Sequence, residues 1–388
     1  MMRHLLGNGK MNVNSKLFKI ASLMVLLGVA PAAAQETISI GLVAPISGSV
    51  ALDGQQEVAG AQFAVDQFNK AGRLGSKKVQ LFIEDGECKP ASSTAAAEKL
   101  ITQNNVAALA GAFCSSATKS VQPISEKYGV SFVNGISADP SLTNPMRPWF
   151  FRTKIHNGLR AIYYSKFISE GLHLKKLVAL AVDDDFGRSA IASFTPVLKQ
   201  YGTEFALVRY FKHGEVNYIS MLNSVKSSGA DGIFLVGEAQ DGALIMKQYK
   251  QLGLDLPVVG VGSFNTPEFF NMAGADAEGV YNAEVWGSGV DYPGAQDFIG
   301  AWQKAKGAYP GLYAMSGYVE MSAILEAVAK AGGGDREKIK GALENLDWLS
   351  PIGPVKFDAN HQAHTLMFVT KNEAGKGVVQ KTYDTARD

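Results

Sequence analysis

Residues 106–116 read Val-Ala-Ala-Leu-Ala-Gly-Ala-Phe-Cys-Ser-Ser, an apolar run that gives way at a glycine to a cysteine and two serines. The run 106–110 is short and continuously apolar, which predicts a buried strand. Ser115 and Ser116 then open a helical segment, where free backbone N–H groups and hydroxyls can hold an anion. A strand that ends in such a turn is typical of a ligand site at the strand ends of a doubly wound sheet.

A similar strand end occurs one unit earlier, where the apolar run 79–83 leads into Glu84-Asp85-Gly86-Glu87-Cys88. Cys88 and Cys114 are the chain's only two cysteines, and a helical segment fits between them. A disulfide between them would tie together the ends of two successive βα units.

The N-terminus predicts the compartment in which that disulfide would form. Lys16 and Lys19 precede the apolar run 20–27, and Pro31-Ala32-Ala33-Ala34-Gln35 follows it. This order is typical of a cleaved signal peptide, residues 1–34. A membrane anchor is the alternative, but the run is well short of the about 20 residues needed to span a bilayer. Because disulfides persist in exported proteins, we expect the Cys88–Cys114 bond.

Charge and motifs exclude several functional classes. Residues 35–388 carry 33 basic against 36 acidic side chains, a net charge of −3, with no basic stripe, so we expect no nucleic-acid partner. The chain lacks a P-loop and a nucleophile elbow, and we therefore expect neither a cofactor nor an enzyme. The turn that contains His361 and His364 lacks further ligands, which predicts a solvated loop and no metal site.

Strand and helix segments alternate along the chain, first over residues 38–134 and again over 157–285. Such repeats predict an α/β protein with two parallel sheets covered by helices. Residues 294–347 are predicted to be mostly helical. Segments 351–357 and 365–369 are predicted to be two strands joined by a turn. No flexible linker separates the halves, which indicates a hinge of several crossing segments.

Six segments, taken in order and spacing, resemble the type I periplasmic solute-binding proteins of the leucine/isoleucine/valine-binding family. They are residues 42–48, 54–61, 85–90, 114–116, 184–187 and 273–279. The resemblance spans the mature chain. It implies two Rossmann-like lobes joined by a three-segment hinge, with lobe 1 formed by 36–155 plus 287–365 and lobe 2 by 156–286 plus 366–388. It also implies a periplasmic monomer that carries a small-molecule carboxylate ligand to an inner-membrane ABC permease.

The resemblance assigns the carboxylate end of the cleft. In that family the serine after the second cysteine, here Ser115, holds the ligand carboxylate together with groups on the next strand-end loop. We therefore expect Ser115 and its neighbour Ser116 to act with that loop, which is Ile136-Ser137-Ala138 here. Ala138 stands where amino-acid binders usually have threonine, and Ser137 can supply the hydroxyl instead. Phe186 matches a ring that packs on the ligand, and Phe264 is a second candidate ring.

The ammonium end departs from the family. Gly262 occupies the position of the glutamate that pairs with a ligand ammonium, and Glu238 stands where an aromatic residue is common. Glu238 and Asp53 either bind an ammonium from a new direction or lie at the cleft rim in water. We therefore expect an apolar or aromatic acid without an amine, in preference to an amino acid. A periplasmic ligand sensor that signals to a membrane receptor is the alternative function.

Overall fold

The computed structural model describes residues 36–386, so the predicted signal peptide lies outside the described residues. The first sheet has five strands in the order β2-β1-β3-β4-β5, all parallel. Its strands are β1 (Thr37–Ala44), β2 (Lys78–Asp85), β3 (Ala108–Gly111), β4 (Ser131–Asn134) and β5 (Phe150–Arg152). The helices α1 (Ala51–Lys70), α2 (Pro90–Thr102) and α3 (Ser115–Tyr128) follow the first three strands. Strands β3, β4 and β5 are buried throughout, as their continuous apolar runs predict.

The second sheet has seven strands in the order β14-β13-β10-β9-β8-β6-β7. Five of them pair in parallel, and β13 and β14 form an antiparallel edge beside β10. The strands are β6 (Lys176–Val182), β7 (Glu204–Phe211), β8 (Gly232–Gly237), β9 (Val258–Gly262), β10 (Tyr281–Glu284), β13 (Leu366–Glu373) and β14 (Lys376–Asp384). The helices are α4 (Asn157–Lys166), α5 (Asp185–Gln200), α6 (Ile219–Lys226), α7 (Ala239–Gln251) and α8 (Pro267–Ala273).

The chain passes between the two sheets three times. It crosses after Arg152 at the end of β5, returns after Glu284 at the end of β10, and crosses again at Gln362 before β13. The returning segment contains α9 (Pro293–Lys306), α10 (Leu312–Ala331), α11 (Arg336–Glu344), β11 (Trp348–Ser350) and β12 (Gly353–Val355). The α/β fold with two lobes is therefore confirmed, whereas the residues at which each lobe begins and ends remain a prediction.

Helix α10 is anchored on α1 by two close backbone approaches. A Cβ at Gly60 would lie 1.9 Å from the carbonyl oxygen of Ala314, and a Cβ at Gly317 would lie 2.1 Å from that of Glu57. Both positions therefore require glycine for steric reasons. This contact fixes α10, and with it Tyr313, against the first sheet.

The two strands predicted at 351–357 and 365–369 are present as β12 and β13, but they do not pair with each other. Strand β12 pairs with β11, and β13 instead forms a hairpin with β14. The hairpin turns at Ala374 and Gly375, both of which have positive φ (50° and 72°), as a type I′ turn requires. The sequence did not predict β14, because Ala-Gly is a weak turn signal, nor the pairing of β13 with β10, which lies far away in the sequence.

The predicted solvated loop is wrong for His361 and Gln362, although residues 358–360 of the same turn are exposed. His361 and Gln362 are buried, and the imidazole of His361 stacks on Phe151 with ring centroids 4.1 Å apart. Gln362 accepts a hydrogen bond from Arg152 Nε at 2.6 Å and donates one to the carbonyl of Lys154 at 2.7 Å. The third crossover packs on the first, and this contact buries His361 and Gln362.

Candidate functional site

The cleft between the lobes is lined on one side by the loops that follow β3 and β4. Ala112 and Phe113 have positive φ (66° and 44°), so the chain turns sharply after β3 before α3 begins at Ser115. Cys114 is bonded to Cys88, with the two Cα atoms 5.4 Å apart. The disulfide thus fixes the loop after β3 to the loop after β2, directly beside the start of α3.

Ser115 connects the two loops. Its Oγ accepts hydrogen bonds from the backbone N–H groups of Ala138 and Asp139, each at 3.3 Å. Its own hydroxyl proton has no acceptor among residues 36–386, and the side chain faces the cleft. Ser137 is engaged differently, because its Oγ donates to the carbonyl of Phe113 at 2.7 Å and lies 2.6 Å from Thr118 Oγ1. Ser115 therefore retains a hydrogen-bond donor for a ligand, whereas Ser137 holds the loops together.

The second lobe contributes Asp184 and Phe186 at the start of α5. Asp184 Oδ1 accepts from the N–H of Gly187 at 2.9 Å and so caps the helix. His213 lies between Asp184 and Asp241, with Nδ1 2.7 Å from Asp241 Oδ2. Burial opposes the charged imidazole, but the hydrogen bonds with the two carboxylates outweigh it and raise the pKa of His213 to about 10. This network sets the start of α5 in place and leaves the half-buried ring of Phe186 to line the cleft.

Two acidic side chains approach each other from opposite lobes. Glu238 Oε2 accepts hydrogen bonds from Tyr313 Oη at 2.5 Å and from Ser263 Oγ at 2.9 Å. Ser263 Oγ also lies 3.5 Å from Asp53 Oδ2, at the first turn of α1. Burial, followed by the charges of Glu238 and Glu268, raises the pKa of Asp53 well above its ordinary value. Burial also raises the pKa of Glu238, although the hydrogen bond from Tyr313 partly offsets this.

The floor of the cleft carries an ion-pair network at the hinge. Lys154 Nζ lies 2.9 Å from Glu284 Oε2, and Arg160 Nη2 lies 2.5 Å from Glu284 Oε1. All three side chains are almost fully buried. Burial opposes the charge on Glu284, but the two cations hold the pKa of its carboxyl below the ordinary value. The network joins the first crossover, at Lys154, to the second, at Glu284.

The cleft is closed around these groups. Its cavity has a volume of only about 20 Å³, room for about one water molecule. The bond between Tyr313 and Glu238 crosses from one lobe to the other. A small-molecule pocket usually has several hundred Å³, so ligand entry requires the lobes to move apart.

A family model described as periplasmic binding protein matches residues 37–376. The chain belongs to the periplasmic binding protein family. The leucine-, isoleucine-, valine-, threonine- and alanine-binding protein of Pseudomonas aeruginosa is 27% identical over 345 residues, which cover 88% of this chain and 92% of the relative. A Leu/Ile/Val-binding protein homologue of Brucella melitensis is 25% identical over 325 residues, or 83% of this chain and 87% of the relative. Both relatives are named as leucine/isoleucine/valine-binding proteins, which confirms the resemblance seen in the sequence.

Solved structures show the same fold. The branched-chain amino acid transporter substrate-binding protein of Streptococcus pneumoniae, in complex with isoleucine, matches with a TM-score of 0.81 and 26% identity, covering 89% of this chain and 99% of its own. A solute-binding protein of R. palustris in complex with benzoate matches with a TM-score of 0.82 and 22% identity, covering 89% and 96%. Both solved proteins are described as the substrate- or solute-binding protein of a transporter. In residues 36–386 no helix is long and apolar enough to cross a membrane.

Within this periplasmic binding protein, the cleft gathers six of the ten expected ligand-binding residues. They are Ser115, Ile136, Ser137, Ala138, Phe186 and Glu238. Four others lie elsewhere. Ser116 is half-buried outside the cleft lining, and Asp53 is buried behind Ser263. Phe264 is fully buried against Phe269 in the second lobe, and Gly262 has a φ of 139° and would clash with the carbonyl of Gly237 if it carried a Cβ.

Four of the cleft residues that sequence reasoning did not assign to the ligand form two pairs. Phe113 and Tyr313 form a ring pair with centroids 4.7 Å apart, and Lys154 and Glu284 form the ion pair at the hinge. Tyr313 was detectable only as one aromatic residue among several. Lys154 lies two residues after the end of the strand Phe150–Arg152, which is a usable signal, but its partner lies 130 positions further along the chain. In residues 36–386 there is no cluster of three or more His, Cys, Asp or Glu side chains suited to a metal ion.

Proposed function

We propose that this protein is the exported substrate-binding component of an ABC importer and that it binds a small apolar or aromatic carboxylic acid in the interlobe cleft. The observation that carries the proposal is the junction of Ser115 with the backbone N–H of Ala138. Both are donors at the ends of neighbouring parallel strands, and both line the closed cleft. Ligands of open α/β sheets bind at this edge.

Ser115 is the proposed partner of the ligand carboxylate. Its hydroxyl can donate to a carboxylate oxygen, and the N–H groups at the first turn of α3 add a favourable helix-end field. A charge-assisted hydrogen bond of this kind contributes roughly 1.5–3 kcal/mol. The N–H of Ala138, which donates to Ser115 Oγ over 3.3 Å, would then donate to the ligand carboxylate instead.

Aromatic rings form the proposed binding surface for the rest of the ligand. Phe113 and Tyr313 come from the first lobe and Phe186 from the second. Rings on both sides of a cleft suit a flat or branched apolar group, which gains contacts with both lobes only when they close.

The ligand class follows from the groups that would meet an amine. Gly262 supplies no carboxylate, and the Glu238 oxygen Oε2 already accepts from Tyr313 and Ser263. We therefore favour an acid without an amine, such as an aromatic acid or a 2-oxo acid. The second candidate is an aliphatic or aromatic amino acid, whose ammonium would bind the other oxygen of Glu238. The relatives' named ligands include amino acids and benzoate, so this choice rests on the residues of this chain.

The remaining parts of the proposal concern delivery. Cleavage after Ala34 would release the chain into the periplasm, where the closed form of a monomer docks on an inner-membrane permease. Lobes formed by 36–155 plus 287–365 and by 156–286 plus 366–388 would move about the three crossovers.

The test is a thermal-shift screen of residues 35–388 after unfolding and refolding to strip bound ligand. The panel contains benzoates, phenylpropenoates, aryl-pyruvates and aliphatic 2-oxo acids beside branched-chain, aromatic and acidic amino acids. A ligand at about 100 times its Kd stabilises the folded protein by about 2.7 kcal/mol. We expect shifts with the acids that lack an amine. Shifts with amino acids alone would overturn that preference. If no compound of the panel shifts the melting temperature, the proposal of a carboxylate ligand is wrong.

A further inference from the structure

Lys154 occupies a position at which all three crossovers meet. It lies on the first crossover, its backbone carbonyl accepts from Gln362 Nε2 on the third at 2.7 Å, and its ammonium pairs with Glu284 on the second at 2.9 Å. The side chain nevertheless lines the ligand cleft beside Ser115 and Ala138. A residue in this position contacts both the ligand and the hinge.

The ion-pair network around Lys154 has an unbalanced charge. Two cations, Lys154 and Arg160, lie within salt-bridge distance of a single carboxylate, Glu284. Glu238 also lines the cleft but makes no ion pair with Lys154. The side chain of Lys154 is only 4% exposed, and an uncompensated buried ammonium is costly. Glu238 attracts Lys154 only at longer range, so the ammonium can accept a second anionic partner from within the cleft.

The ammonium of Lys154 also has N–H donors that are not used within the protein's described residues. A lysine carries three N–H donors, and residues 36–386 provide it with one partner, Glu284. Arg160 is arranged differently, because it donates to Asn157 Oδ1 at 2.7 Å and to Glu284 and does not line the cleft. Lys154 is thus the cation of the network that a ligand can reach.

We propose that Lys154 binds the anionic group of the ligand directly and makes the cleft selective for acids that lack an amine. The ligand carboxylate completes an array of two cations and two anions at the hinge. A zwitterionic amino acid would bring an additional positive charge to the same floor. This inference rests on the proposed function, since it assumes a carboxylate ligand in the cleft.

The test compares acids with their neutral amides in three variants. The probes are benzoate, phenylpyruvate and 4-methyl-2-oxopentanoate, each with its carboxamide, and Kd is measured by calorimetry. For an acid that binds the unmodified protein, Lys154→Gln should weaken binding about 10- to 100-fold while changing the affinity of the amide less than threefold. Lys154→Arg keeps the charge and should retain most of the preference for the acid.

Arg160→Gln is the matched control. It removes the other cation of the same network, and Arg160 does not line the cleft. It should change the affinities for acid and amide by the same factor. If Lys154→Gln also weakens acid and amide equally, Lys154 only braces the hinge and the inference is wrong while the proposed function stands. If Lys154→Gln does not fold, the neutral pair Lys154→Gln/Glu284→Gln provides the same comparison.

A different outcome would reject the proposed ligand class instead. If the unmodified protein binds none of the three acids, the proposed ligand class of acids without an amine is wrong. The inference about Lys154 is then wrong as well. If it binds phenylalanine or leucine more tightly than phenylpyruvate or 4-methyl-2-oxopentanoate, the selectivity is opposite to the one proposed.

Discussion

At the scale of single residues, Ser115 is distinguished from its neighbour by geometry that the sequence does not contain. Both serines begin α3, but Ser115 is buried at the cleft while Ser116 is half-buried outside it. A serine at a helix start can be a cap, a ligand donor or both. Ser115 accepts a hydrogen bond from the N–H of Ala138 and so bridges two strand-end loops, whereas Ser116 makes no such contact.

We predict that Ser115→Ala weakens binding of a carboxylate ligand about 10-fold, because one charge-assisted hydrogen bond is lost. Ser116→Ala should change the affinity by less than threefold. Calorimetric titration of both variants with the best acid from the screen measures the difference. Equal losses in the two variants would contradict the assignment of Ser115.

At the scale of elements, the contact between α1 and α10 buries two carboxyl groups. Glu57 and Glu320 are both inaccessible to solvent, and their carboxyl groups interact with each other. Glu320 Oε2 accepts from the N–H of Gly135 at 2.7 Å, at the end of β4. Burial raises the pKa of Glu320 to about 8, and burial together with the charge of Glu320 raises that of Glu57. The pair therefore retains a proton at neutral pH.

This pair predicts how stability depends on pH. Folding raises the pKa of such a carboxyl above its unfolded value, which is near 4.5. The contribution of the group to stability is complete below the unfolded pKa and is lost as the pH rises through the folded pKa. Glu57→Gln should leave the free energy of unfolding nearly unchanged at pH 5 and increase it by about 1–3 kcal/mol at pH 8. Urea unfolding at both pH values measures this, with Glu373→Gln at an exposed site as the control. A gain of equal size at pH 5 would argue against a shared proton.

The disulfide acts on the same scale, since it joins the loops after β2 and β3. The two cysteines are 26 residues apart, and closing a loop of this length stabilises the folded state by about 3.5 kcal/mol on the chain-entropy model. Cys88→Ala/Cys114→Ala should lower the free energy of unfolding by about that amount in urea. Because Cys114 precedes Ser115, the variant should also weaken ligand binding; unchanged affinity would show that the loop is positioned without the bond.

At the scale of the whole molecule, closure brings Asp53 of the first lobe towards Glu238 of the second. Asp53 also faces Glu268, while Glu238 faces Tyr313, Ser263 and the more distant charges of His213 and Lys154. Burial raises the pKa of both carboxyls in the closed form, and the charges of Glu238 and Glu268 raise that of Asp53 further. Opening exposes them to water, where carboxyl pKa values are near 4.

We predict that binding of an acid takes up protons from solvent. The closed form binds more protons than the open form, so the affinity should fall as the pH rises from about 4 through the raised pKa of Asp53. Calorimetry at pH 7 in two buffers of different ionisation enthalpy measures the uptake. Asp53→Asn should reduce the uptake and flatten the pH dependence; uptake that is unaffected by Asp53→Asn would place the proton elsewhere.

The sequence by itself determined the fold class, the disulfide pair and the turn from β3 into α3 at Ser115, because each depends on neighbours in the chain. Buried strands, a helix start and two cysteines at strand ends are local patterns. The tertiary structure alone decided which side chains share the cleft: it brought Lys154 to Glu284 and Tyr313 to Glu238, and it buried Phe264 and His361. These pairs are 130 and 75 residues apart in the sequence, and their proximity depends on how three crossovers and a long helix pack, which no local periodicity encodes.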